Sequence, residues 1–470
     1  MKTFSTAMML VLAVSVSAKA DDLLIKVANP VSTKHMAAFI QSQGLKTEAL
    51  TDQWIRVQGN VNAAQFKNTL ESNAIVYVQK NYKITIRQNP TLQKVLAAYL
   101  QENPDQADAP VGTVADNPPI PAPPAAATGT DPLFSKQWGM KDIGVEAAWK
   151  FNPGSNNIIV AVIDTGVDYT HEDLLPNLWR NPKEIPDNGI DDDGNGYIDD
   201  VIGWDFLSKD NKPYDLAATS IGDLLNGGNP GHGTHCAGNV AARGQNGKGI
   251  SGVAPNAQIM ALRFIGNEGG TTADAVLAIK YAVDNGAKVL SNSWGSEGDD
   301  PDDAANNQAL KDSVQYAADH DVLFIAAAGN GHQGKGYDND TDAKPGVPAS
   351  YDHDNIISVA AVDVNNNLGS FSNWGKKTVD IAAPGVKVFS TTVTGKYSDT
   401  VIPMLGANWD GTSMACPHVA GAAALYWSAH PEKTYRQVKE AILNSAVRIP
   451  AAEGKLVSNG KLSVENLMKQ

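Results

Sequence analysis

The sequence predicts an α/β protein built on a mostly parallel β-sheet and preceded by a small α+β unit. Strands of a parallel sheet are buried on both faces, so they contain continuous apolar runs. Four such runs lie in the C-terminal part of the chain: 158–163, 257–264, 288–292 and 322–327. Segments with apolar residues at helical spacing separate the last three runs: 273–285 and 304–320. This alternation indicates a parallel sheet, whose ligand site is expected at the C-terminal ends of the strands.

Composition limits the classes of function. The chain has 470 residues, and its 37 basic and 51 acidic side chains give a net charge of −14. This length suits two or three domains. An acidic chain without a basic block is not expected to bind nucleic acid, whereas clustered carboxylates suit calcium. Two cysteines exclude a disulfide scaffold and a cysteine-rich zinc module.

Residues 1–20 have the pattern of a secretory signal. Lys2 precedes an apolar stretch at 7–14, and Ala18-Lys19-Ala20 supplies an A-x-A cleavage pattern. This order predicts cleavage after Ala20, a secreted mature protein and no membrane association after cleavage. An uncleaved N-terminal anchor is the alternative, although the apolar stretch is short for a membrane span.

Residues 21–88 are expected to form the small α+β unit. Strands are predicted at 23–27, 54–57, 75–78 and 82–86, and helices at 35–43 and 62–70. The resulting β-α-β-α-β-β order is close to a split βαβ, ferredoxin-like arrangement. About seventy residues is a marginal size for independent stability, so we expect this unit to dock on something larger.

Residues 89–130 are predicted to be a linker. Asn117 to Pro124 is rich in proline, and small residues continue to Thr130. Such a stretch is expected to be extended, exposed and easily cleaved by proteases. The third segment, 131–470, contains the predicted parallel sheet.

Three motifs in this third segment place reactive residues at strand ends or helix starts. They are Ile163 to Gly166 (IDTG), Gly231 to Gly238 (GHGTHCAG) and Gly411 to Gly421 (GTSMACPHVAG). Taken alone, each has another interpretation. An Asp-Thr-Gly also occurs in aspartic proteases, which would require a homodimer here. The histidines of the second motif have the spacing of a metal-binding pair. The serine of the third motif could be no more than a helix cap.

Taken together, the motifs indicate nucleophilic catalysis. A serine hydroxyl is a weak nucleophile until an imidazole takes its proton, and that imidazole needs a carboxylate to fix its tautomer. The chain supplies these three groups as Ser413, His232 and Asp164.

Residues 131–470 resemble the subtilisin family of serine proteases (subtilases), thermitase-like members in particular. The resemblance covers all three motifs and their Asp, His, Ser order. It implies a three-layer subtilisin-like fold in which Asp164 orients His232, His232 acts as general base and acid, and Ser413 attacks the peptide carbonyl. It also implies that Asn330, in Ala326 to Asn330, donates a hydrogen bond to the oxyanion together with the Ser413 backbone N–H.

The resemblance also implies a substrate-binding segment. Ser293, Trp294 and Gly295 resemble the strand that pairs with an extended substrate, and Gly346 resembles the far side of the specificity pocket. Backbone pairing gives affinity with little sequence preference. Since the pocket segment 346–349 carries no acidic residue, we expect apolar or aromatic residues before the cleaved bond rather than Lys or Arg.

An acidic loop predicts a calcium site. Its candidate ligands are Asp191, Asp193, Asn195, the carbonyl of Tyr197, Asp199, and Asp187 or Asp200 to complete the shell. The spacing matches the first nine positions of an EF-hand loop, but Ile202 replaces the final Glu, so the loop is not an EF-hand. A solvated acidic turn is the alternative.

The resemblance to thermitase-like subtilases implies a second calcium site. Its ligands would be side chains near the mature N-terminus, after the catalytic Asp and after the histidine helix, joined by backbone oxygens. The matching residues are Asp131, Asp173 and Asn246, with the backbone oxygens of Arg243, Lys248 and Ile250.

Two further expectations concern the cysteines and the small unit. Cys236 and Cys416 are interpreted as buried free thiols, with a disulfide between them as the alternative. By position and pattern, residues 21–88 resemble the inhibitory pro-domain of subtilases, so maturation is expected between Ile86 and Asp131.

These features predict a secreted, calcium-stabilised serine endopeptidase that acts on proteins or peptides through an acyl-enzyme intermediate. It would be made as a self-processed zymogen, with its own pro-domain as intramolecular inhibitor, and would be a monomer. Alternatives are a catalytically silent homologue that acts as a binding protein, a processing protease with one target, and an aspartic protease.

Overall fold

A computed structural model describes residues 22–59, 75–86, 90–110, 117–296, 306–332 and 334–470. The predicted signal at 1–20 and the predicted helix at 62–70 lie outside these residues. The chain divides into two compact units: Met1–Tyr82 with Asn306–Ala309, and Lys83–Ala305 with Leu310–Gln470.

The small unit is an antiparallel sheet with a helix. Its described elements are β1 (Leu23–Val27), α1 (Pro30–Ser42), β2 (Lys46–Ala49), β3 (Trp54–Gln58) and β4 (Ile75–Lys80). The strand order β2-β3-β1-β4, with every pair antiparallel, is that of a ferredoxin-like sheet. Asn29 caps α1 by accepting a hydrogen bond of 3.1 Å from the Ser32 amide.

The small sheet differs from the prediction at two strands. The sequence analysis missed β2, because its side chains are exposed or half-buried and show no apolar alternation. The strand predicted at 82–86 is shorter in the structure, where β5 (Lys83–Ile84) pairs with β9 (Gly270–Thr271) in the larger unit. Alternation identifies a strand, but it does not identify the partner of that strand.

The larger unit contains a sheet of nine strands. They are β6 (Ile159–Asp164), β7 (Gly203–Asp205), β8 (Gln258–Arg263), β10 (Val289–Asn292), β11 (Leu323–Ala327), β12 (Ile356–Val362), β13 (Ile381–Pro384), β18 (Val447–Arg448) and β19 (Gly460–Lys461). Their order is β18-β19-β13-β12-β11-β10-β6-β8-β7, and every neighbouring pair is parallel except β18 and β19. The mostly parallel sheet predicted from the apolar runs is confirmed.

Helices and short hairpins surround this sheet. The helices are α2 (Pro90–Glu102), α3 (Trp138–Asp142), α4 (Val145–Phe151), α5 (Ile221–Leu225), α6 (His232–Ala241), α7 (Thr272–Asp284), α8 (Gln308–Asp319), α9 (Thr412–Ala429), α10 (Tyr435–Asn444) and α11 (Val464–Leu467). The hairpins pair β14 (Ser390–Thr392) with β15 (Lys396–Ser398), and β16 (Thr400–Ile402) with β17 (Ala407–Asn408). Short 3₁₀ turns span Pro104–Gln106, Phe134–Lys136, Leu175–Asn177, Pro403–Leu405 and Pro450–Ala452.

None of the helices in the described part of the chain is both long enough and apolar enough to cross a bilayer.

Two apolar clusters cover opposite faces of the large sheet. Successive residues of β6 alternate between them: Val162 packs in the cluster that contains Val240 of α6, and Ile163 packs in the cluster that contains Ile279 of α7. Both faces are therefore covered by helices. This explains why the strand sequences are continuously apolar rather than alternating.

The segment predicted as linker packs on the larger unit at several points. It begins with helix α2, which the sequence analysis missed. Further along, the Pro118 carbonyl accepts a hydrogen bond of 2.7 Å from the Tyr169 hydroxyl, and the Pro121 carbonyl accepts one from Arg180. Residues 122–130 are all exposed.

Packing in the sheet can be tested with a matched pair of variants. Val359 of β12 is 0% exposed, whereas Val364 is 61% exposed. We expect Val359→Ala to lower the free energy of unfolding by about 2 kcal/mol, because two methyl groups are lost from a packed core. Val364→Ala should have almost no effect. Urea unfolding in a Ser413→Ala background measures both, and equal effects would contradict the two-face packing.

Candidate active site

The three motifs meet at the C-terminal edge of the sheet, where the sequence predicts a ligand site. Asp164 is the last residue of β6, His232 is the first residue of α6, and Ser413 is the second residue of α9. Gly231 precedes the histidine with φ +89°, a left-handed conformation that favours glycine. All three reactive side chains are at most 5% exposed.

The carboxylate and the imidazole form a direct pair. Asp164 Oδ1 lies 2.7 Å from His232 Nδ1 and also accepts a hydrogen bond of 2.8 Å from the Thr165 amide. Burial alone would lower the pKa of His232, but the adjacent Asp164 carboxylate raises this pKa well above its usual value. Among the described residues, His232 Nε2 has no hydrogen-bond partner.

A second buried carboxylate holds the start of the histidine helix. Asp215 accepts hydrogen bonds from the Thr234 amide (2.9 Å) and hydroxyl (2.6 Å), from the Thr165 hydroxyl (2.9 Å) and from Asn229 (2.6 Å). Burial raises its pKa to about 6 despite these donors. The sequence analysis missed Asp215, since no local motif links it to the histidine. It acts as a positioning residue rather than as a catalytic one.

The serine hydroxyl is held beside the segment that the sequence predicts to bind substrate. Ser413 Oγ donates to the Ser293 carbonyl at 3.0 Å, and Ser293 Oγ donates to the Ser413 carbonyl at 2.9 Å. Attack requires this hydroxyl to turn towards His232 Nε2. Such catalytic hydrogen bonds often form only when substrate is bound.

The amide of Asn330 is fixed for donation. Its Oδ1 accepts two hydrogen bonds of 2.9 Å from the backbone and hydroxyl of Thr412, the residue before Ser413. Nδ2 is therefore the end of this amide that can donate to an oxygen. The start of α9 adds the backbone N–H of Ser413 beside it.

The segment from Ser293 to Gly295 presents its backbone. The ring of Trp294 is 1% exposed and packs edge-on against Phe264 and Phe324, so this residue contributes main-chain atoms only. Gly346 donates its amide to Asn339 Oδ1 at 3.3 Å, and the following Val347 exchanges two backbone hydrogen bonds with Ser296.

Part of the chain itself pairs with this segment. Gly295 and Thr85 exchange two antiparallel hydrogen bonds of 3.3 and 3.4 Å, while β5 pairs with β9 on the other side. Ile86 then lines the same pocket as His232 and Ser413. An extended strand of this chain therefore lies in the cleft.

The two cysteines are buried, and both are free, as predicted. Cys236 Sγ donates to the Ser413 carbonyl at 3.5 Å. Burial raises the pKa of Cys236, and it raises that of Cys416 to about 12. Both therefore remain thiols at neutral pH and are poor nucleophiles.

Three carboxylates converge at the acidic loop. Oxygen atoms of Glu184, Asp193 and Asp200 lie within 4.8 Å of one another. Burial raises the pKa of both Glu184 and Asp200, and Glu184 Oε2 is buried without a partner among the described residues. The sequence analysis missed Glu184, because it lies outside the acidic run and is brought in by a turn. This set of hard oxygen donors fits a calcium ion.

The other residues predicted in this loop lie around the three carboxylates. Asp191 accepts from the Asn195 and Gly196 amides, and Asp199 accepts from two other loop amides. Asn195 Nδ2 donates to Asp200, and Tyr197 packs its ring against Trp204, Phe206 and Tyr281. Asp187 has a left-handed backbone with φ +60°. Asp191 and Asp199 thus brace the loop backbone.

The residues of the second predicted site also come together. Asp131 accepts from the Gln245 and Asn246 amides at 2.8 and 3.2 Å, and Asp173 Oδ1 accepts from Asn246 Nδ2 at 2.9 Å. The three residues predicted to offer carbonyls donate their amides here: Arg243 to the Asp173 carbonyl, Lys248 to Asn246 Oδ1, and Ile250 to Asp173 Oδ2. Tyr397, which the sequence analysis missed, donates to Asp173 Oδ2 at 3.0 Å.

Comparison with known proteins identifies the family. The subtilase family matches residues 155–466, which include Asp164, His232, Asn330 and Ser413. The chain is a subtilase. It is 37% identical to thermitase from Thermoactinomyces vulgaris over 324 residues, which cover 68% of this chain and 92% of thermitase. It is 35% identical to the thermophilic serine proteinase of Bacillus sp. (strain AK1) over 344 residues, which cover 73% of this chain and 69% of that proteinase.

A solved structure agrees with the fold. The structure of fervidolysin from Fervidobacterium pennivorans, described as a keratinolytic enzyme related to subtilisin, aligns with a TM-score of 0.65 at 24% sequence identity. The alignment covers 96% of this subtilase and 61% of the fervidolysin chain. The predicted family and the subtilisin-like fold are confirmed, and the chain is a serine protease by family.

Two alternatives from the sequence are wrong. Asp164 pairs with a histidine rather than with a second carboxylate, so the Asp-Thr-Gly motif does not belong to an aspartic protease. His235 does not form a metal pair with His232, because its Nε2 bonds to the Val388 carbonyl at 3.0 Å and its ring stacks on Trp409. Burial also lowers the pKa of His235 to about 3.

The Asp164–His232 pair predicts the pH profile of this subtilase. A protonated imidazole cannot accept the serine proton, so kcat/KM should fall as pH drops through the pKa of His232. We expect Asp164→Asn to reduce kcat by about 10⁴-fold. The residual kcat/KM of this variant should begin to fall at a lower pH than that of the wild type, because the carboxylate that raises the pKa of His232 is gone. Peptide hydrolysis between pH 5 and 9 measures both effects, and a fall at an unshifted pH would refute the pairing.

Proposed function

We propose that this subtilase is a secreted, calcium-stabilised endopeptidase that hydrolyses peptide bonds through an acyl-enzyme intermediate and is made as a self-processed zymogen. The observation that carries the proposal is the buried Asp164–His232 pair with the Ser413 hydroxyl beside it. Intact catalytic groups favour an enzyme over a silent homologue.

The geometry supports two chemical steps. In the first, Ser413 Oγ bonds to the substrate carbonyl carbon and its proton passes to His232 Nε2, while Asn330 Nδ2 and the Ser413 amide stabilise the oxyanion. The imidazolium then protonates the leaving amine as the peptide bond breaks. In the second step, water attacks the acyl-serine ester, again with His232 as base and acid, and restores the free hydroxyl.

Self-processing is supported by the strand in the cleft. β5 and Thr85 bind through the backbone hydrogen bonds expected of an extended substrate, and Ile86 reaches the catalytic pocket. Leu92 lines the same pocket. We infer that the first cut falls between Ile86 and Leu92. This range is shorter than the one predicted from the sequence, Ile86 to Asp131. Until it leaves, the strand at 83–86 excludes other substrates from the cleft, and residues 21–88 would inhibit the enzyme through this strand.

Calcium would stabilise the folded state at two places. At the acidic loop, Glu184, Asp193 and Asp200 would hold the ion, which neutralises their mutual repulsion. At the second place, the ion would be held by Asp131, Asp173 and Asn246. The side-chain amide of Asn246 would first turn its oxygen towards the ion. Because these residues come from distant segments, binding there would slow unfolding.

The proposed secretion and substrate preference are supported by features of the sequence. The pattern of residues 1–20 supports secretion, and the absence of an acidic residue in 346–349 supports a preference for apolar or aromatic residues before the cleaved bond. We propose a monomer that acts on protein or peptide substrates.

The central test compares the wild-type chain with Ser413→Ala. We expect the wild type to lose its N-terminal segments and to gain the mass of a fluorophosphonate probe, because only an activated serine reacts with it. Ser413→Ala should keep the chain between Ile86 and Leu92 intact and remain unlabelled. Intact mass spectrometry gives both readouts.

The outcomes separate the parts of the proposal. Labelling without shortening would contradict self-processing and indicate an external activator. Processing without labelling of the wild type would contradict Ser413 as the nucleophile. If the wild type is neither processed nor labelled, a silent homologue is favoured.

Calcium binding predicts opposite effects of one variant in two media. At a calcium concentration of about 100 Kd, the ion should add about 2.7 kcal/mol to stability, and Glu184→Gln should lose much of this gain. In EGTA, the same variant should be at least as stable as its parent, since repulsion among the three carboxylates is relieved. Thermal unfolding in a Ser413→Ala background tests this, with the exposed Glu453→Gln as control. Equal loss in both media would contradict a calcium site.

A further inference from the structure

Helix α2 lies beside the catalytic pocket, beyond the strand already described. Leu92, near the start of this helix, lines the pocket together with Ile86, His232 and Ser413. Ile86 and Leu92 therefore lie on the same pocket as Ser413. Because Thr85, which pairs with Gly295, precedes the proposed cut and Leu92 follows it, Thr85 belongs to the acyl part and Leu92 to the leaving amine.

An apolar groove receives this helix. It is formed by α5 and the β16–β17 hairpin, and its buried members are Ala218, Ile221, Leu224, Ile402 and Ala407. Leu92 and Leu96 pack into it and are 2% and 0% exposed. We call the five residues that receive these leucines the leaving-side groove: Ala218, Ile221, Leu224, Ile402 and Ala407.

Further contacts hold the helix in place. After the helix, the carbonyls of Ala107 and Ala109 accept backbone hydrogen bonds of 2.8 and 3.1 Å from α5. Pro110 also forms a β-bridge with Ser220. None of these contacts is broken by hydrolysis of a bond before Leu92.

We propose that the leaving-side groove is a substrate subsite for an apolar side chain on the leaving-amine side of the cleaved bond, and that α2 fills this subsite in the uncut chain. The inference rests on the proposed peptidase activity. It adds a determinant of specificity that lies outside the three motifs and the Ser293 to Gly295 segment.

The proposal has a consequence for activation. A cut after Ile86 frees the acyl side of the cleft, but α2 remains seated by its two leucines and by the contacts of Ala107 to Pro110. A second cut is needed to remove its tether to the catalytic core. The exposed residues 122–130 are the accessible place for that cut.

The first experiment measures the preference of enzyme that has undergone both cuts and has lost residues 90–102, as its intact mass shows. Six fluorescence-quenched peptides have the same sequence before the cleaved bond. Each carries one Leu, at a different one of the first six positions after that bond, in an otherwise Gly/Ser sequence. We expect one position to favour Leu over Ser by about tenfold in kcat/KM, as for an apolar side chain that enters a pocket. Leu224→Ser and Ile402→Ser should reduce that ratio towards one, because each removes an apolar wall of the groove.

A matched control and a binding assay complete the test. Leu207 lies outside the groove and is 41% exposed, so Leu207→Ser should keep the tenfold ratio. The binding assay uses the full chain with Ser413→Ala, Leu92→Ser and Leu96→Ser, whose own helix no longer fills the groove. A synthetic peptide of residues 90–102 should bind this protein, whereas the same peptide with both leucines replaced by serine should not.

The outcomes are distinct. Absence of a Leu preference at all six positions, or a preference that survives both groove variants, overturns the subsite. Equal binding of the two synthetic peptides overturns it as well. If no peptide is hydrolysed but the leucine-dependent binding is observed, the groove stands and the peptidase proposal fails.

Discussion

The hydrogen bond between Asp164 and His232 joins the end of a central strand to the start of a buried helix. Burial of both groups is offset by the hydrogen bond between Asp164 Oδ1 and His232 Nδ1 and by the one that the Thr165 amide donates to the same oxygen. The surrounding structure keeps the pair in register. Asp215 ties Thr165, next to the aspartate, to Thr234 in the first turn of the histidine helix. Loss of that brace would let the strand end and the helix start separate.

The same constraint explains why the site is at this edge of the sheet. Parallel strands end together, and the helices α6 and α9 begin where their first amides are not yet used by helical hydrogen bonds. The edge therefore brings a buried carboxylate, an imidazole and the first turn of α9 into one cleft. The first amides of α6 donate instead to the side chains of Asn229, Thr165 and Asp215. Asn330 follows the end of β11, and its side-chain amide is held by Thr412, one residue before Ser413.

Local patterns predict much of this arrangement. The central strands were predicted because burial on both faces leaves a continuous apolar run, and Asp164, His232 and Ser413 were found because each lies in a short motif with its own chemical reason. Glu184, Asp215 and Tyr397 were missed because each contributes through folding contacts with residues distant in sequence. Helix α2 was missed for a different reason. Its leucines face a groove whose two walls come from later segments, so the sequence of 90–102 gives no sign of what it packs against.

The distance along the chain between the reactive groups affects when the protein becomes active during folding. Asp164 and His232 are 68 residues apart, and the serine follows only in the last large helix of the sheet. Contacts of such long range form late, because the loops between them must close first. A partly folded chain therefore has a strand, or a strand and one helix, but no activated hydroxyl. The proposed hydrolysis would become possible only when α9 has docked, so the topology itself would protect the nascent chain from digesting itself or its neighbours.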